Sequence, residues 1–263
     1  MTQAHQAHRS GPAEGHGVSR RLGVPEFLRT GTVFDEVTRA RAAELVGRYP
    51  QSRSALLPLL HLVQSVEGFV SQDGIDFCAG TLGLTAAEVS AVATFYTMYK
   101  RQPCGEHLVS VCTNTLCAVL GGDAIHRTLS DHLGVADNGT AGVPGAPGSV
   151  TLESAECLAA CDHGPVLQVD YEFYDRQSPD SALDLVTALQ RGERPAPTRG
   201  APLTDFRTAE LEIAGFPVDP VTAVAGPSAS VETLRGNELA ERTGQSAPPM
   251  PDHHEIPPLP EKK

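Results

Sequence analysis

Several features that would assign a function directly are missing from this sequence. Basic residues are scarce, with 20 Lys and Arg against 32 Asp and Glu, and the net charge of −12 argues against nucleic-acid binding. The most apolar run, 55–63, is interrupted by Pro58 and His61 and falls short of the roughly 18 to 20 residues that a membrane span needs. The N-terminus has no apolar segment typical of a secretion signal. We therefore expect a cytoplasmic protein without direct membrane insertion and without a nucleic-acid partner.

Motifs for nucleotide binding and for thiol exchange are also absent. Neither G-x-G-x-x-G nor G-x-x-x-x-G-K-[ST] occurs, so the usual backbone cradles for dinucleotides and nucleotide phosphates are missing. No C-x-x-C occurs, which argues against disulfide exchange. We expect no catalytic residue in this chain, and any hydride chemistry must take place on a cofactor held by another subunit.

The cysteines that are present lie in one part of the chain. From Pro195 onward there are 12 of the 21 prolines and none of the six cysteines. A Pro-rich segment therefore follows a cysteine-bearing body. Because thiols stay reduced in the cytosol, metal binding or redox chemistry is the first explanation for clustered cysteines.

Hydrophobic periodicity divides the body into a helical part and a mixed part. Steps of three residues predict a first helix with an apolar face formed by Val37, Ala40, Ala43 and Val46. Thr85 with Glu88 is a capping box, and Ser178 followed by Pro179 predicts a later helix start. Strands are predicted at 107–112, 150–154 and 165–174, and a flexible loop at 138–148. The resulting domain prediction is a disordered N-terminal arm (1–33), a helical bundle (34–103), an α/β domain (104–194) and a Pro-rich C-terminal extension (195–263).

Four cysteines form two close pairs, each placed where a predicted strand ends. Cys112 and Cys117 are separated by four residues, and Cys157 and Cys161 by three. Two loops at one edge of a sheet can bring four thiolates together, and such a set fits either zinc or an iron–sulfur centre. Leu120 stands where a plant-type ferredoxin would have its third cysteine, which disfavours that fold.

Three other metal-binding side chains need no ligand role. Cys78 lies in an apolar helical stretch and Cys104 in a turn without a paired cysteine, so we predict that neither is a ligand. A Rieske-type site would need two histidines in place of two cysteines. His163 is therefore interpreted as a loop histidine near the site.

The strings SVCTNTLC and ESAECLAACDHGPVLQVD, with the upstream helix ending in TFYTMY, resemble the thioredoxin-like [2Fe–2S] ferredoxins of respiratory complex I, NADH:quinone oxidoreductase. The resemblance covers roughly residues 35 to 192. It implies an α/β fold class: a small N-terminal helical bundle followed by a thioredoxin-like α/β domain, with disordered or extended tails. It also implies one [2Fe–2S] cluster held by Cys112, Cys117, Cys157 and Cys161.

The resemblance further implies a role in one-electron transfer within NADH:quinone oxidoreductase. FMN and NADH would be bound by a partner, the flavin/NADH-binding subunit, and other peripheral-arm subunits of complex I would also be partners. The chain would then contribute to an enzyme only as one of its subunits, and be peripheral to the membrane through the complex. Two alternatives remain open: a diaphorase subunit of an NAD-linked hydrogenase or formate dehydrogenase, and a structural four-cysteine zinc scaffold.

The sequence departs from the family pattern in the second cysteine loop. Many relatives have C-L-G-x-C, but Ala159 replaces the glycine here. If that position needs a positive φ, alanine costs about 1 kcal/mol. The acidic residues Glu153, Glu156 and Asp162 flank this pair and predict a low reduction potential, because reduction adds negative charge to the cluster.

The C-terminal extension is expected to be mainly a solvated tail. Its prolines exclude long helices, although 231–243 could form one short helix. The alternative is an extended strap over a partner subunit, motivated by the apolar residues Phe206, Leu211, Ile213 and Phe216.

Overall fold

A computed structural model describes residues 27–249. The helices within this range are α1 (Glu36–Gly47), α2 (Leu56–Glu67), α3 (Gln72–Leu82), α4 (Ala86–Phe95), α5 (Thr115–Val119), α6 (Gly122–Leu133), α7 (Pro179–Gln190), α8 (Phe206–Ile213) and α9 (Val231–Thr243). The strands are β1 (His107–Cys112), β2 (Gly139–Ala141), β3 (Val150–Ala155), β4 (Leu167–Val169) and β5 (Glu172–Tyr174).

The bundle helices begin and end where local side chains satisfy the backbone. The Asp35 carboxylate accepts from the Thr38 amide at 2.8 Å and starts α1. The predicted capping box of Thr85 and Glu88 is present at α4, and Gly68 ends α2 with a φ of 79°. The apolar faces of these helices form one core that includes Leu45, Leu59 and Ile75.

The predicted apolar face of α1 is wrong. Val37, Ala40 and Ala43 are exposed, and Val46 is only partly buried. The buried residues are instead Thr38, Ala42 and Leu45. Steps of three drift around a helix of 3.6 residues per turn, whereas steps of four and three keep one face toward the core.

Two glycines of α3 provide a matched stability prediction. A Cβ at Gly74 would overlap the Val63 side chain of α2, whereas a Cβ at Gly80 would meet no atom within 4 Å. We expect Gly80→Ala to raise the free energy of unfolding by about 0.5 to 1 kcal/mol, because alanine loses less backbone entropy. Gly74→Ala should lower it by about 1 to 3 kcal/mol through overpacking. Urea unfolding of both variants tests this, and equal shifts would contradict it.

The sheet has the strand order β2-β3-β1-β4-β5. β1 and β3 are parallel, with His107 opposite Val150 and Cys112 opposite Ala155, and α6 lies in the connection between them. β4 is antiparallel to β1 and β5 to β4. Helices α6 and α7 cover the sheet through a core that includes Ile125 and Leu189. The predicted fold class, a helical bundle followed by a thioredoxin-like α/β domain, is confirmed.

Part of the predicted flexible loop 138–148 is an edge strand. Residues 139–141 form β2, which pairs antiparallel with β3. The Thr140 hydroxyl lies 2.7 Å from that of Thr151. The glycine and proline content of 138–148 predicts only a loop. The pairing appears in the tertiary structure, where β3 provides the neighbouring strand.

The segment just before α1 contacts α3, although the sequence predicts a disordered arm over 1–33. Phe27 is buried, and the Asp73 carboxylate accepts from the amides of Thr30 and Gly31, each at 2.8 Å. These backbone bonds hold the pKa of Asp73 below its ordinary value. Residues 1–26, the rest of the predicted arm, lie outside the described residues.

The C-terminal segment returns to the bundle, so the expectation of a solvated tail is wrong for 206–216. α8 packs along α2, with Phe206 fully buried, and Leu211 and Phe216 lie against the bundle core. The apolar residues that suggested a strap over a partner therefore contact this chain itself, except for Ile213, which is 41% exposed. The predicted helix at 231–243 is present as α9. Residues 250–263 lie outside the described residues.

A buried carboxylate joins three parts of the chain. Glu210 of α8 is 0% exposed, and its Oε2 lies 2.6 Å from Nδ1 of His61 in α2. Its Oε1 accepts a hydrogen bond of 2.6 Å from the hydroxyl of Tyr171, between β4 and β5. Burial and the neighbouring Glu210 raise the pKa of Tyr171, so this hydroxyl keeps its proton. The C-terminal segment thus links the bundle to the sheet.

No single helix within residues 27–249 is long and apolar enough to cross a membrane. Only α3 and α4 taken together reach the required length and composition, and they are bent by 119° at their junction.

Candidate metal centre

The first cysteine pair is buried at the end of β1. Cys112 is the last residue of this strand, Cys117 lies in α5, and each is 2% exposed. The Cys112 amide donates to the carbonyl of Val166 at 3.1 Å, which anchors this side of the loop to the sheet. Burial, with the adjacent Cys112 thiol as a further contribution, raises the pKa of Cys117 to about 11. In the metal-free state this thiol therefore carries its proton.

The second pair lies in the loop after β3 and is exposed to solvent. Cys157 and Cys161 are both exposed, and Cys161 starts a short 3₁₀ turn that ends at His163. The neighbouring thiol of Cys157 raises the pKa of Cys161. The charge of Cys112 also acts to raise the pKa of Cys161. The Cys112 thiol also lies 3.3 Å from the carbonyl oxygen of Glu156.

The proximity of the pairs follows from the sheet. β1 and β3 are parallel neighbours, so the residues after their carboxyl ends lie at the same edge. The Thr113 amide donates to the Ala155 carbonyl at 2.9 Å and continues this pairing beyond Cys112. One buried pair and one exposed pair therefore face each other across the end of the sheet.

Two glycines that sequence reasoning missed shape these loops. A Cβ at Gly122 would overlap the carbonyl oxygen of Cys112 and lie 3.0 Å from that of Cys117. A Cβ at Gly164 would lie 3.3 Å from the sulfur of Cys117. Both positions are glycine because backbone or sulfur occupies the space of a side chain. The glycine doublet 121–122 directly after the first pair was the available signal.

The departure at Ala159 has the predicted backbone consequence. Ala159 has a φ of 55°, in the left-handed region that favours glycine. Its neighbour Ala160 has a φ of −121° and is buried. The second cysteine loop therefore contains one residue in an unfavourable backbone conformation.

We expect Ala159→Gly to raise the free energy of unfolding by about 0.5 to 1 kcal/mol, because relief of this strain exceeds the entropy that glycine adds to the unfolded chain. Ala160→Gly is the matched control and should lower it, since its φ is negative and it loses a buried methyl group. Denaturant unfolding of both variants measures the difference. A lower stability for Ala159→Gly would contradict the argument.

The predicted acidic neighbours have different surroundings. Glu156 is exposed, whereas Glu153 pairs with Lys100 and accepts from the Ser110 hydroxyl at 2.7 Å, so its charge is offset. Asp162 accepts from the Thr233 hydroxyl at 2.6 Å, and this bond holds its pKa below the ordinary value. Asp162 and Glu156 are the acidic residues next to the second pair in sequence. Among the described ion pairs, neither has a Lys or Arg partner.

Cys78, Cys104 and His163 are all buried. Cys78 is 0% exposed in the bundle core, and Cys104 is 4% exposed beside Phe206. Burial raises the pKa of both thiols, that of Cys104 to about 12, so both stay protonated. His163 is 3% exposed, and its Nε2 lies 2.8 Å from the Ser230 hydroxyl.

The donor atoms at this end of the sheet restrict the kind of metal centre that it can hold. Among residues 27–249, no group of three or more His, Cys, Asp or Glu side chains is placed to hold one metal ion. A structural zinc ion needs four ligands around a single centre. In a [2Fe–2S] cluster each iron takes two protein ligands, and two cysteine pairs can supply them. The four cysteines at this end of the sheet fit the donor set of a [2Fe–2S] cluster, and they also fit that of a four-cysteine zinc site.

A thioredoxin-like sheet with two cysteine pairs at one strand edge defines the class of thioredoxin-like ferredoxins. Residues 42–190 match the family described as thioredoxin-like [2Fe-2S] ferredoxin, and the chain belongs to this family. The family resemblance seen in the cysteine strings is thus confirmed.

Relatives in other organisms extend the match beyond this domain. The E subunit of the NADH-quinone oxidoreductase of Mycobacterium tuberculosis is 53% identical over 249 residues, covering 87% of this chain and 96% of the relative. Its counterpart of the same name in Rickettsia bellii is 32% identical over 164 residues, covering 61% of this chain and 96% of the relative. NADH dehydrogenase [ubiquinone] flavoprotein 2, mitochondrial, of Dictyostelium discoideum is 31% identical, covering 67% and 70%. The prediction of an oxidoreductase-complex component is confirmed by these similarities.

Among solved structures, an NAD+-reducing [NiFe]-hydrogenase in the air-oxidized state aligns with a TM-score of 0.44 and 13% sequence identity. The alignment covers 51% of this chain and 23% of the hydrogenase chain.

Proposed function

We propose that this chain is a one-electron transfer subunit of an NADH:quinone oxidoreductase that holds one [2Fe–2S] cluster through Cys112, Cys117, Cys157 and Cys161. The observation that carries the proposal is the juxtaposition of a buried and an exposed cysteine pair at one edge of the sheet. The 53% identity to the Mycobacterium tuberculosis relative supports the choice of complex.

The chain's own residues give the two pairs different tasks. When bound, the cluster supplies reversible one-electron reduction. Cys112 and Cys117 are packed with Ala160 and Val166, which excludes water from one side. Cys157 and Cys161 face solvent, so electrons would enter or leave on that side.

A partner with FMN and NADH would lie beside this exposed side. Three apolar residues next to the first pair are accessible: Leu116 is 45%, Val119 80% and Leu120 51% exposed. Exposed apolar side chains clustered on a short helix and its C-cap are typical of a protein interface. Docking of the flavin/NADH-binding subunit here would cover the cysteine pairs and keep the chain peripheral to the membrane.

Both alternatives have less support than the proposal. The sequence relatives above carry the names of NADH dehydrogenase components, not of formate dehydrogenase or hydrogenase diaphorases. The zinc scaffold would use the same four thiols, but the family that residues 42–190 match is described as a [2Fe-2S] ferredoxin.

The decisive experiment is spectroscopy with metal analysis on anaerobically purified protein. If each chain holds one cluster, we expect about two irons and about two sulfides per chain. Reduction with dithionite should then give an S = ½ EPR signal. Serine substitution of any of the four proposed ligands should abolish or alter this signal. Cys78→Ala and Cys104→Ala should leave it unchanged. A colourless protein with stoichiometric zinc that resists cluster reconstitution would refute the proposal.

Neutralising the acidic groups beside the second pair should raise the reduction potential. Glu156→Gln combined with Asp162→Asn removes two negative charges, which stabilises the more negative reduced cluster. The control is Glu36→Gln with Glu44→Gln in α1, which changes the net charge equally on the bundle. Redox titration followed by EPR compares the two. Equal potentials in both double variants would show that these two charges do not set the potential.

A further inference from the structure

The first turn of α9 contacts the second cysteine loop directly. Thr233 donates its hydroxyl hydrogen to Asp162 at 2.6 Å, and the Ser230 hydroxyl lies 2.8 Å from Nε2 of His163. Asp162 and His163 directly follow Cys161 in the 3₁₀ turn. The hydroxyl groups of Ser230 and Thr233, both in the C-terminal extension, thus contact the two residues that follow the proposed ligand Cys161.

A third contact joins the same turn of α9 to His163 indirectly, through Arg176. Glu232 forms an ion pair of 2.5 Å with the guanidinium of Arg176. The backbone amide of Arg176 donates in turn to the carbonyl of His163 at 2.9 Å. Residues 230–233 therefore contact the ring of His163 directly through Ser230 and its backbone indirectly through Arg176.

Outside its first turn, α9 makes little contact with the rest of the protein. None of its residues is buried, and Val231, Leu234 and Leu239 are 73%, 42% and 48% exposed. Apolar packing therefore does not place this helix. The polar contacts of its first turn carry its attachment to the cysteine loop.

The turn lies outside the residues that match the family. The family match ends at residue 190. An alignment with only 61% of this chain covers 96% of the Rickettsia bellii relative. The Mycobacterium tuberculosis relative, by contrast, is aligned with 87% of this chain. Residues 230–233 are thus an addition to the domain that carries the cysteines.

We propose that Ser230 and Thr233 are positioning residues that clamp the second cysteine loop and slow the loss of the cluster. This inference rests on the proposed function. The loop needs such a restraint because both of its cysteines are exposed and Ala159 is in an unfavourable backbone conformation. Opening of the turn at 161–163 would withdraw Cys161 from an iron, and the two hydroxyl groups oppose that opening.

The test compares loop variants with a matched control in the same helix. Thr233→Val combined with Ser230→Gly removes both hydroxyls, and glycine retains most of the N-cap preference. The control is Thr243→Val, whose hydroxyl bonds only carbonyls within α9. Bleaching of the visible absorbance of the full-length holoprotein by excess EDTA gives the rate of cluster loss. We expect roughly a three- to tenfold faster loss in the double variant, which is about the net effect of one ordinary hydrogen bond. Thr243→Val should lose the cluster at the wild-type rate.

Hydrogen exchange of the amides of 157–163 in the cluster-free full chain gives a second readout. It should be faster in the double variant, with no change in the exchange of α2 or β1. Wild-type rates of bleaching and loop exchange in the double variant would overturn the clamp. A wild-type protein that binds zinc and no cluster would refute the proposed function, while the exchange measurement would still decide whether α9 restrains the loop.

Discussion

Replacing Glu210 with alanine is expected to lower the free energy of unfolding by about 3 to 5 kcal/mol, because two buried groups lose their hydrogen-bond acceptor at about 1 to 3 kcal/mol each. The carboxylate is fully buried, and each of its oxygens has a hydrogen-bond partner 2.6 Å away. Its removal leaves His61, which is 7% exposed, and the hydroxyl of Tyr171 without this partner in a site that water cannot easily reach. The loss would act on the bundle and the sheet at once.

Urea unfolding followed by circular dichroism measures this effect. Glu212→Ala in the same helix is the matched control, since its carboxylate accepts a long hydrogen bond of 3.4 Å from the amide of Val218. A surface substitution of this kind should change the stability by no more than about 0.5 kcal/mol. If Glu210→Ala were as stable as Glu212→Ala, the three-way contact would not hold the C-terminal segment in place.

Gly122→Ala is expected to prevent cluster assembly. The added Cβ would overlap the carbonyl oxygen of Cys112 and lie 3.0 Å from that of Cys117, and neither backbone atom can move without shifting its cysteine. Overpacking should also lower the free energy of unfolding by about 1 to 3 kcal/mol. We expect purified Gly122→Ala to contain little iron and sulfide while keeping its far-ultraviolet circular dichroism.

Gly80→Ala makes the same chemical change in α3 without a steric conflict, and should retain the iron and sulfide content of the wild type. Iron and sulfide assays on both variants, before and after reconstitution under identical conditions, separate a defect in the cysteine loop from a general effect of the substitution. A fully loaded Gly122→Ala protein would show that the loop tolerates a side chain at this position.

Features with a local cause could be predicted from the sequence. The capping box of Thr85 and Glu88 and the helix start at Ser178 depend on hydrogen bonds between residues three apart, and both are present. The two cysteine pairs follow strands whose β-branched and apolar residues identify them, so their common sheet edge could be anticipated. The strain at Ala159 was predictable because a family pattern marks that position as glycine.

The tertiary structure alone decided where the remaining surfaces pack. His61 and Glu210 are 149 residues apart, and nothing near either residue indicates the other. The face of α1, the strand at 139–141 and the contact of Thr233 with Asp162 likewise depend on partners distant in sequence. Caps and periodicity arise from interactions within one or two turns. The placement of the C-terminal segment instead follows from burying apolar area and satisfying buried polar groups across the whole fold.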